Sequence, residues 1–228
     1  MEKNWNAGGY STNSPPRLKT WVSSTDPKHT TVVYDANVLQ PGVAPRSADP
    51  ARGTGLYRAK WTYAILDEMT ASVLRANPQL DPTRLERTCQ LMIRAVPDCL
   101  VTGYEPLIKA VELPDKSDRH VAAAAIRCHA QIIVTNNLKD FPDSALSQFD
   151  IKAQSPDQFV HHILKTAYEQ VVDIISRQAA TLYKPPQSYN QLLDRLERIG
   201  LPQTVAAIRQ GPHYALPEMP PTLWDAPE

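Results

Sequence analysis

The 228-residue sequence has no net charge: Lys+Arg and Asp+Glu both number 24. Bulk electrostatics therefore do not announce a nucleic-acid partner, although a local basic rim can exist on a neutral chain. Cysteine is scarce. Cys89, Cys99 and Cys128 form an odd set with no close pair, which argues against a disulfide framework and for buried free thiols in a reducing cytosol. Long apolar runs are missing as well. None nears the ~18 residues of a membrane span, and the first residues lack the apolar stretch of a signal peptide. What is present is a 42% hydrophobic fraction, enough for a core, and 21 prolines, densest towards the two ends. The length allows one large domain, or a medium domain with a helical addition.

Residues 1–30 are polar, with Gly8-Gly9, Pro15-Pro16 and Pro27, and read as a disordered arm. Thr31-Val-Val-Tyr34 is a short run of β-formers, suited to a strand buried on both faces of a parallel sheet. Asp35 follows as that strand ends. In open α/β sheets, ligands bind outside the carboxyl ends of strands, but a lone Asp there is as readily a turn former. After a Pro/Gly-rich loop over 41–55, a helix is expected from about Thr62 to Ala76, with Ile65, Met69 and Val73 as its buried stripe. Glu68 lies beside that stripe. Asp81-Pro82 reads as the cap and first residue of a second helix, and Pro97 stops it. A short strand or loop over 98–104 and a short helix over 105–110 follow.

Leu113-Pro-Asp-Lys-Ser-Asp-Arg-His-Val-Ala-Ala-Ala-Ala-Ile126 then turns from a polar loop into an alanine-rich helix, expected over 118–129. Ser117 is its plausible cap, and Asp118 stands at its mouth. Small side chains let such a helix pack close to its neighbours. Ile132-Ile-Val134 reads as a strand, Thr135-Asn-Asn137 as a polar loop, and Phe149 to Ala153 as a last short strand. Strand, helices, helix, strand, strand is the order of an α/β sandwich with a mainly parallel sheet. From Ser155 the pattern is all helical: Ser155-Pro-Asp157 opens a helix over Phe159 to roughly Leu182, with a break near Thr166, then a capping box over Ser188–Gln191 before Leu192, Leu193, Leu196 and Ile199, Gly200, and a short helix over 202–209. The expected division is an arm over 1–30, an α/β domain over 31–154, a helical extension over 155–210 and a proline-rich tail over 211–228.

Four carboxylates thus have matching addresses: Asp35 at a strand end, Glu68 on a helix, Asp118 at a helix mouth and Asp140 after a strand. Gathered together, they would raise one another's pKa values. A hard cation such as Mg²⁺ or Mn²⁺ would relieve that repulsion and could activate water against a phosphodiester. Residue types alone leave scattered structural acids as the alternative.

Four segments occur in order: Val32-Val-Tyr-Asp-Ala-Asn-Val-Leu39, Ile65-Leu-Asp-Glu-Met69, the Leu113 to Ala124 run, and Ile133-Val-Thr-Asn-Asn-Leu-Lys-Asp-Phe-Pro142. Together they resemble the successive motifs of the PIN-domain ribonucleases, in the branch of VapC-type toxins of toxin–antitoxin pairs. The likeness covers roughly residues 31 to 160, and the region after 155 is similar to a C-terminal helical extension in part of that branch. The resemblance implies a three-layer sandwich with a central, mainly parallel sheet. It implies cleavage of RNA by water activated at Mg²⁺ or Mn²⁺, in the cytoplasm. It makes Asp35, Asp118 and Asp140 metal ligands, Glu68 the helix acid of the pocket, and Asn37, Thr135 and Asn136 supporting polar groups. It also implies an antitoxin partner and a homodimer. A PIN-fold ribonuclease of RNA processing without an antitoxin, and a non-catalytic PIN-like module that binds RNA or protein, are the other readings.

Cations are needed to hold an RNA backbone. Arg58, Lys60, Arg119 and Lys139 flank the acidic motifs and could form a rim, with Trp61 or Tyr57 stacking a base. Asp115 reads as a loop acid near Asp118, His120 as a surface or packing histidine, and His161-His162 as ordinary helix residues.

Overall fold

The computed structural model describes residues 30–39, 56–181 and 188–211. The expected arm before Thr30, the loop over 41–55, Pro185-Pro186 and the tail beyond Gly211 lie outside these residues. Four strands, β1 (Thr31–Tyr34), β2 (Arg58–Lys60), β3 (Ile132–Val134) and β4 (Lys152–Gln154), form one sheet in the order β2-β1-β3-β4. Every pairing is parallel. Trp61 extends the sheet past β2 through an isolated parallel bridge to Leu100, which is the most that the 98–104 segment contributes as a strand.

Helices cover both faces, and strand alternation decides which face each side chain serves. Val33 and Ile133 point into one core, where they meet Ile65, Leu66 and Met69 of α1 (Tyr63–Ala76) and Val121, Ala122 and Ala125 of α3 (Arg119–Arg127). α2 (Pro82–Ala95) packs outside α1. Val32, Ile132 and Val134 point into the opposite core. There they meet Phe159 and Ile163 of α5 (Pro156–Thr166), Val171 of α6 (Tyr168–Thr181), Leu192 of α7 (Tyr189–Arg198) and Val205 of α8 (Pro202–Arg209). A short α4 (Asp143–Leu146) precedes β4. The helices after 155 are therefore the third layer of the sandwich and share a core with its sheet.

Local signals explain most boundaries. Thr62 caps α1 by accepting the Ile65 N–H at 3.1 Å. Asp81 caps α2, with Pro82 at its first position. Reciprocal capping boxes, Ser155 with Gln158 and Ser188 with Gln191, open α5 and α7. The expected long helix breaks at Ala167, between α5 and α6. α7 ends before Gly200, whose φ of 101° belongs to the left-handed region that glycine enters without a Cβ clash.

The short helix expected over 105–110 is present as a 3₁₀ helix, Glu105–Ala110. Two local expectations are corrected. The last strand begins at Lys152, not Phe149, because Ser147–Phe149 is a 3₁₀ turn closed by Asp150 at φ 59°. Ser117 does not cap α3: its N–H and hydroxyl both donate to Asp115 Oδ1, at 2.8 and 2.7 Å. This Asx turn takes the side chain that would otherwise serve the helix.

α3 explains the alanines. Val121 to Ala125 are five consecutive residues with no exposure. One side of the helix lies on the sheet, while Ala123 and Ala124 pack on Val101, Tyr104 and the 3₁₀ segment. A helix covered on both sides needs side chains no longer than a methyl where its neighbours come closest.

Candidate active site

The parallel ladder runs one residue past each central strand. The Asp35 N–H donates to the Val134 carbonyl and the Thr135 N–H to the Gln154 carbonyl, both at 3.0 Å. This fixes Asp35 and Thr135 side by side at the carboxyl end of the sheet. The Thr135 hydroxyl donates to Asp35 Oδ2 at 2.7 Å and accepts from Asn37 Nδ2 at 3.2 Å and the Asn137 N–H at 2.9 Å. One donor and two lone pairs exhaust its capacity. Asn37 Nδ2 also donates to Asp35 Oδ2 at 2.7 Å, and Asn37 Oδ1 accepts the Asn136 N–H at 3.0 Å. Asp35, only 5% exposed, is thus held through Oδ2, while Oδ1 accepts no hydrogen bond among the described residues.

Asp118 sits at the α3 N-cap position but makes no side-chain cap bond, so its carboxylate is not spent on the helix. Asp140 ends the 3₁₀ turn Leu138–Asp140 and accepts a hydrogen bond from Asn137 Nδ2. Carboxylate oxygens of Asp115, Asp118 and Asp140 all lie within 4.8 Å of one another. Asp35, Asn37, Glu68 and Asp118 line a cavity of about 440 Å³, together with Ser72, Arg75 and Asn137. Asp118 therefore belongs to both groups, with Asp35 and Glu68 on the cavity side and Asp115 and Asp140 on the other.

Electrostatics show the same convergence. Burial pushes the Asp118 carboxyl up to about 6, and the charges of Asp35, Asp115, Asp140 and Glu68 push it in the same direction. Asp115 is held below the usual carboxylate range by its hydrogen bonds from Ser117, with a smaller contribution from Lys139. The four acids read from the sequence do come together, and Asp115 joins them. The tightest oxygen cluster contains Asp115 with Asp118 and Asp140; Asp35 stands outside it. The donor chemistry fits a hard divalent cation, because the cluster is carboxylate oxygen alone, without thiolate or imidazole.

Glu68, 47% exposed, faces His120 of α3, with Nε2 3.0 Å from Oε1. The approach lacks hydrogen-bond alignment. His120 is half-buried against the site, the packing alternative of the surface or packing histidine expected.

The expected cationic rim fares less well. Arg58 opens β2 in register with Thr31, at the amino end of β1 and away from Asp35. Lys60 donates to the Asp98 carbonyl. Arg119 is half-buried, and of these four cations Lys139 alone is exposed beside the acids. Trp61 is 2% exposed in the core. The Tyr57 hydroxyl accepts from Tyr34 at 2.9 Å, and its ring lies edge-on to Phe159. Trp61 is closed to a base, and Tyr57 is half-buried with its ring packed on Phe159. Arg75, missed from sequence, lines the cavity. It lies seven residues after Glu68 on α1, a spacing of two helical turns that places both on one face.

Residues 156–210 match the VapC50 C-terminal domain model. A Mycobacterium tuberculosis (strain ATCC 25618 / H37Rv) protein named "Putative ribonuclease VapC50" is 42% identical over 108 residues, covering 47% of this chain and 63% of that relative. Both matches are to VapC50. The chain spans less than two thirds of the length of the VapC50 relative. No solved structure matches the chain significantly. Among the described residues, no helix is long and apolar enough to cross a membrane. The parallel sheet, its two helical layers and the match of α5–α8 to the VapC50 C-terminal model agree with the VapC-type reading.

Proposed function

We propose that this chain is a Mg²⁺- or Mn²⁺-dependent endoribonuclease acting in the cytoplasm as the toxin of a type II toxin–antitoxin pair. The observation that carries the reading is the convergence of four carboxylates on Asp118, whose own carboxyl is raised to about 6. So many acids at the carboxyl end of a sheet are a poor resting arrangement and a good cation site. Asp35, Asp118 and Asp140 would hold the ion, with Asp115 within reach of the latter two. When bound, Mg²⁺ or Mn²⁺ supplies Lewis acidity to a water and to a phosphate oxygen.

The chain's own residues do the rest. Thr135 and Asn37 grip Oδ2 of Asp35 and fix its carboxylate plane, and Asn136 locks Asn37. Glu68, half-exposed on the cavity wall, would take a proton from the attacking water as the scissile P–O bond breaks, with the leaving oxygen protonated from solvent. Arg75 is the cation among the cavity-lining residues; it balances a neighbouring phosphate, and Lys139 extends that contact outward. A cognate antitoxin whose peptide fills the acidic groove, and a homodimer, complete the proposal. The name of the VapC50 relative supports RNA as the substrate class.

The test is to map cleavage sites on total RNA with the purified full chain, with Mg²⁺ or Mn²⁺ and with EDTA. Cuts should require the metal and vanish in Asp35→Asn and Asp118→Asn. Absence of metal-dependent cleavage across varied RNAs, with the protein free of any inhibitor, would overturn the enzymatic reading.

A further inference from the structure

The first turn of α3 carries a bulky polar ring in a helix otherwise rich in alanine. His120 is 11% exposed, and its Nε2 lies 3.0 Å from Glu68 Oε1. Both ring nitrogens are buried without an aligned hydrogen bond. Among the described residues the ring has no other ionic or hydrogen-bonding partner. Burying such nitrogens is costly, so the one polar neighbour decides what the ring is for. A bare lone pair 3.0 Å from a carboxylate oxygen would be repulsive, which assigns the hydrogen to Nε2. The Glu68 carboxylate, 47% exposed, is the acceptor nearest that N–H.

We propose that His120 is a positioning residue, whose Nε2–H holds the Glu68 carboxylate over the acidic cavity. The inference rests on the cavity being a cation site. Glu68 is a flexible side chain on the outer wall, and ordering it costs rotamer entropy. His120 is rigid by comparison. Its backbone leads directly into Val121 to Ala125, all without exposure. Asp118 stands one residue before the same helix. The imidazole therefore references the α1 acid to the α3 acid, so that both walls of the cavity keep one spacing. Outer partners of this kind orient the functional carboxylates of a metal site, and losing one typically costs 10–100-fold in metal affinity or activity.

The test compares His120→Leu, which keeps bulk without a donor, with His120→Gln, which restores a donor. Mn²⁺ is the probe: its affinity is read from the electron paramagnetic resonance of the free ion, beside kcat on RNA and the thermal midpoint in EDTA. His120→Leu should lose roughly 10-fold or more in Mn²⁺ affinity or kcat, and His120→Gln should recover most of it. In a Glu68→Gln background the His120→Leu loss should disappear, because the ring acts through that carboxylate. Where the leucine variant does not fold, His120→Met, also without a donor, carries the same comparison. A folded His120→Leu protein with unchanged Mn²⁺ affinity and kcat overturns the proposal, as does a loss that persists in full beside Glu68→Gln. A wild type that binds no Mn²⁺ and cuts no RNA overturns the cation reading as well. Intact binding and cleavage in both wild type and His120→Leu removes His120 alone.

Discussion

Asp118→Asn should stabilise the metal-free protein while abolishing cleavage. The Asp118 carboxyl is raised from 3.8 to about 6 in the fold, first by burial and then by four neighbouring carboxylates. At about 1.36 kcal/mol per unit, the whole shift sets a ceiling of about 3 kcal/mol. Asp118 is only half-buried, so solvent screening reduces this to on the order of 1 kcal/mol. The sign follows from proton linkage. Because the folded pKa lies above the unfolded one, the native state keeps a proton that the unfolded chain releases between about pH 4 and 6. Stability therefore falls as pH rises through that window and is flat above it. The substituted amide cannot ionise, and that decline is missing from the variant. In EDTA, the stability gap between variant and wild type should be near zero at about pH 4 and open to about 1 kcal/mol by pH 7, or roughly 2–4 °C in thermal midpoint for a chain of this size. Adding Mg²⁺ or Mn²⁺ should stabilise the wild type more than the variant and shrink or reverse the gap. Urea unfolding at a series of pH values, with and without metal, reads all of this. A variant less stable than wild type at pH 7 in EDTA, or a gap of the same size at both ends of the pH range, would refute the reasoning.

Thr135→Val keeps the shape but deprives Asp35 Oδ2, Asn37 Nδ2 and the Asn137 N–H of a partner each. It should cost about 1–3 kcal/mol and, by loosening Asp35, at least tenfold in kcat; unchanged urea midpoint and kcat would count against the network. Asp157, 5% exposed, accepts the Gln203 and Thr204 N–H groups with its two carboxylate oxygens, both at 2.9 Å, and so caps α8, whose own cap residue Leu201 makes no side-chain bond. Asp157→Ala should cost about 2–3 kcal/mol, visible as a lowered thermal midpoint. Arg75→Ala should raise KM for RNA several-fold with little change in kcat, and lower the slope of log affinity against log salt by about 0.7; an unchanged slope would remove Arg75 from the RNA contact.

The elements legible in the sequence were those written locally. Asp81-Pro82 and the capping box over Ser188–Gln191 announce their helices within four residues. Asp35 could be placed because a short β-run ends there, and Asp118 because an alanine run begins there. What failed depended on partners elsewhere. Ser117 was open to either a helix or Asp115, and the closer acceptor took it. Ile151 gave the right apolar signal for β4, but Asp150 turns left-handed and delays the strand. Arg58 and Trp61 sit three residues apart, yet only strand direction and tertiary burial tell that one faces away from the acids and the other fills the core. His120 carries no local mark of its contact, because Glu68 comes to it from another helix.

The two faces of the sheet have a consequence for how this chain is divided. Val32, Ile132 and Val134 are covered by side chains that come from beyond residue 155, where the VapC50 C-terminal model begins to match. The unit of likeness and the unit of folding therefore do not coincide. A gene segment ending at Gln154 would encode every acid of the cavity on a sheet missing one wall. The acids borrow their rigidity from a region that contributes no chemistry, and substitutions in that region can silence the site without approaching it.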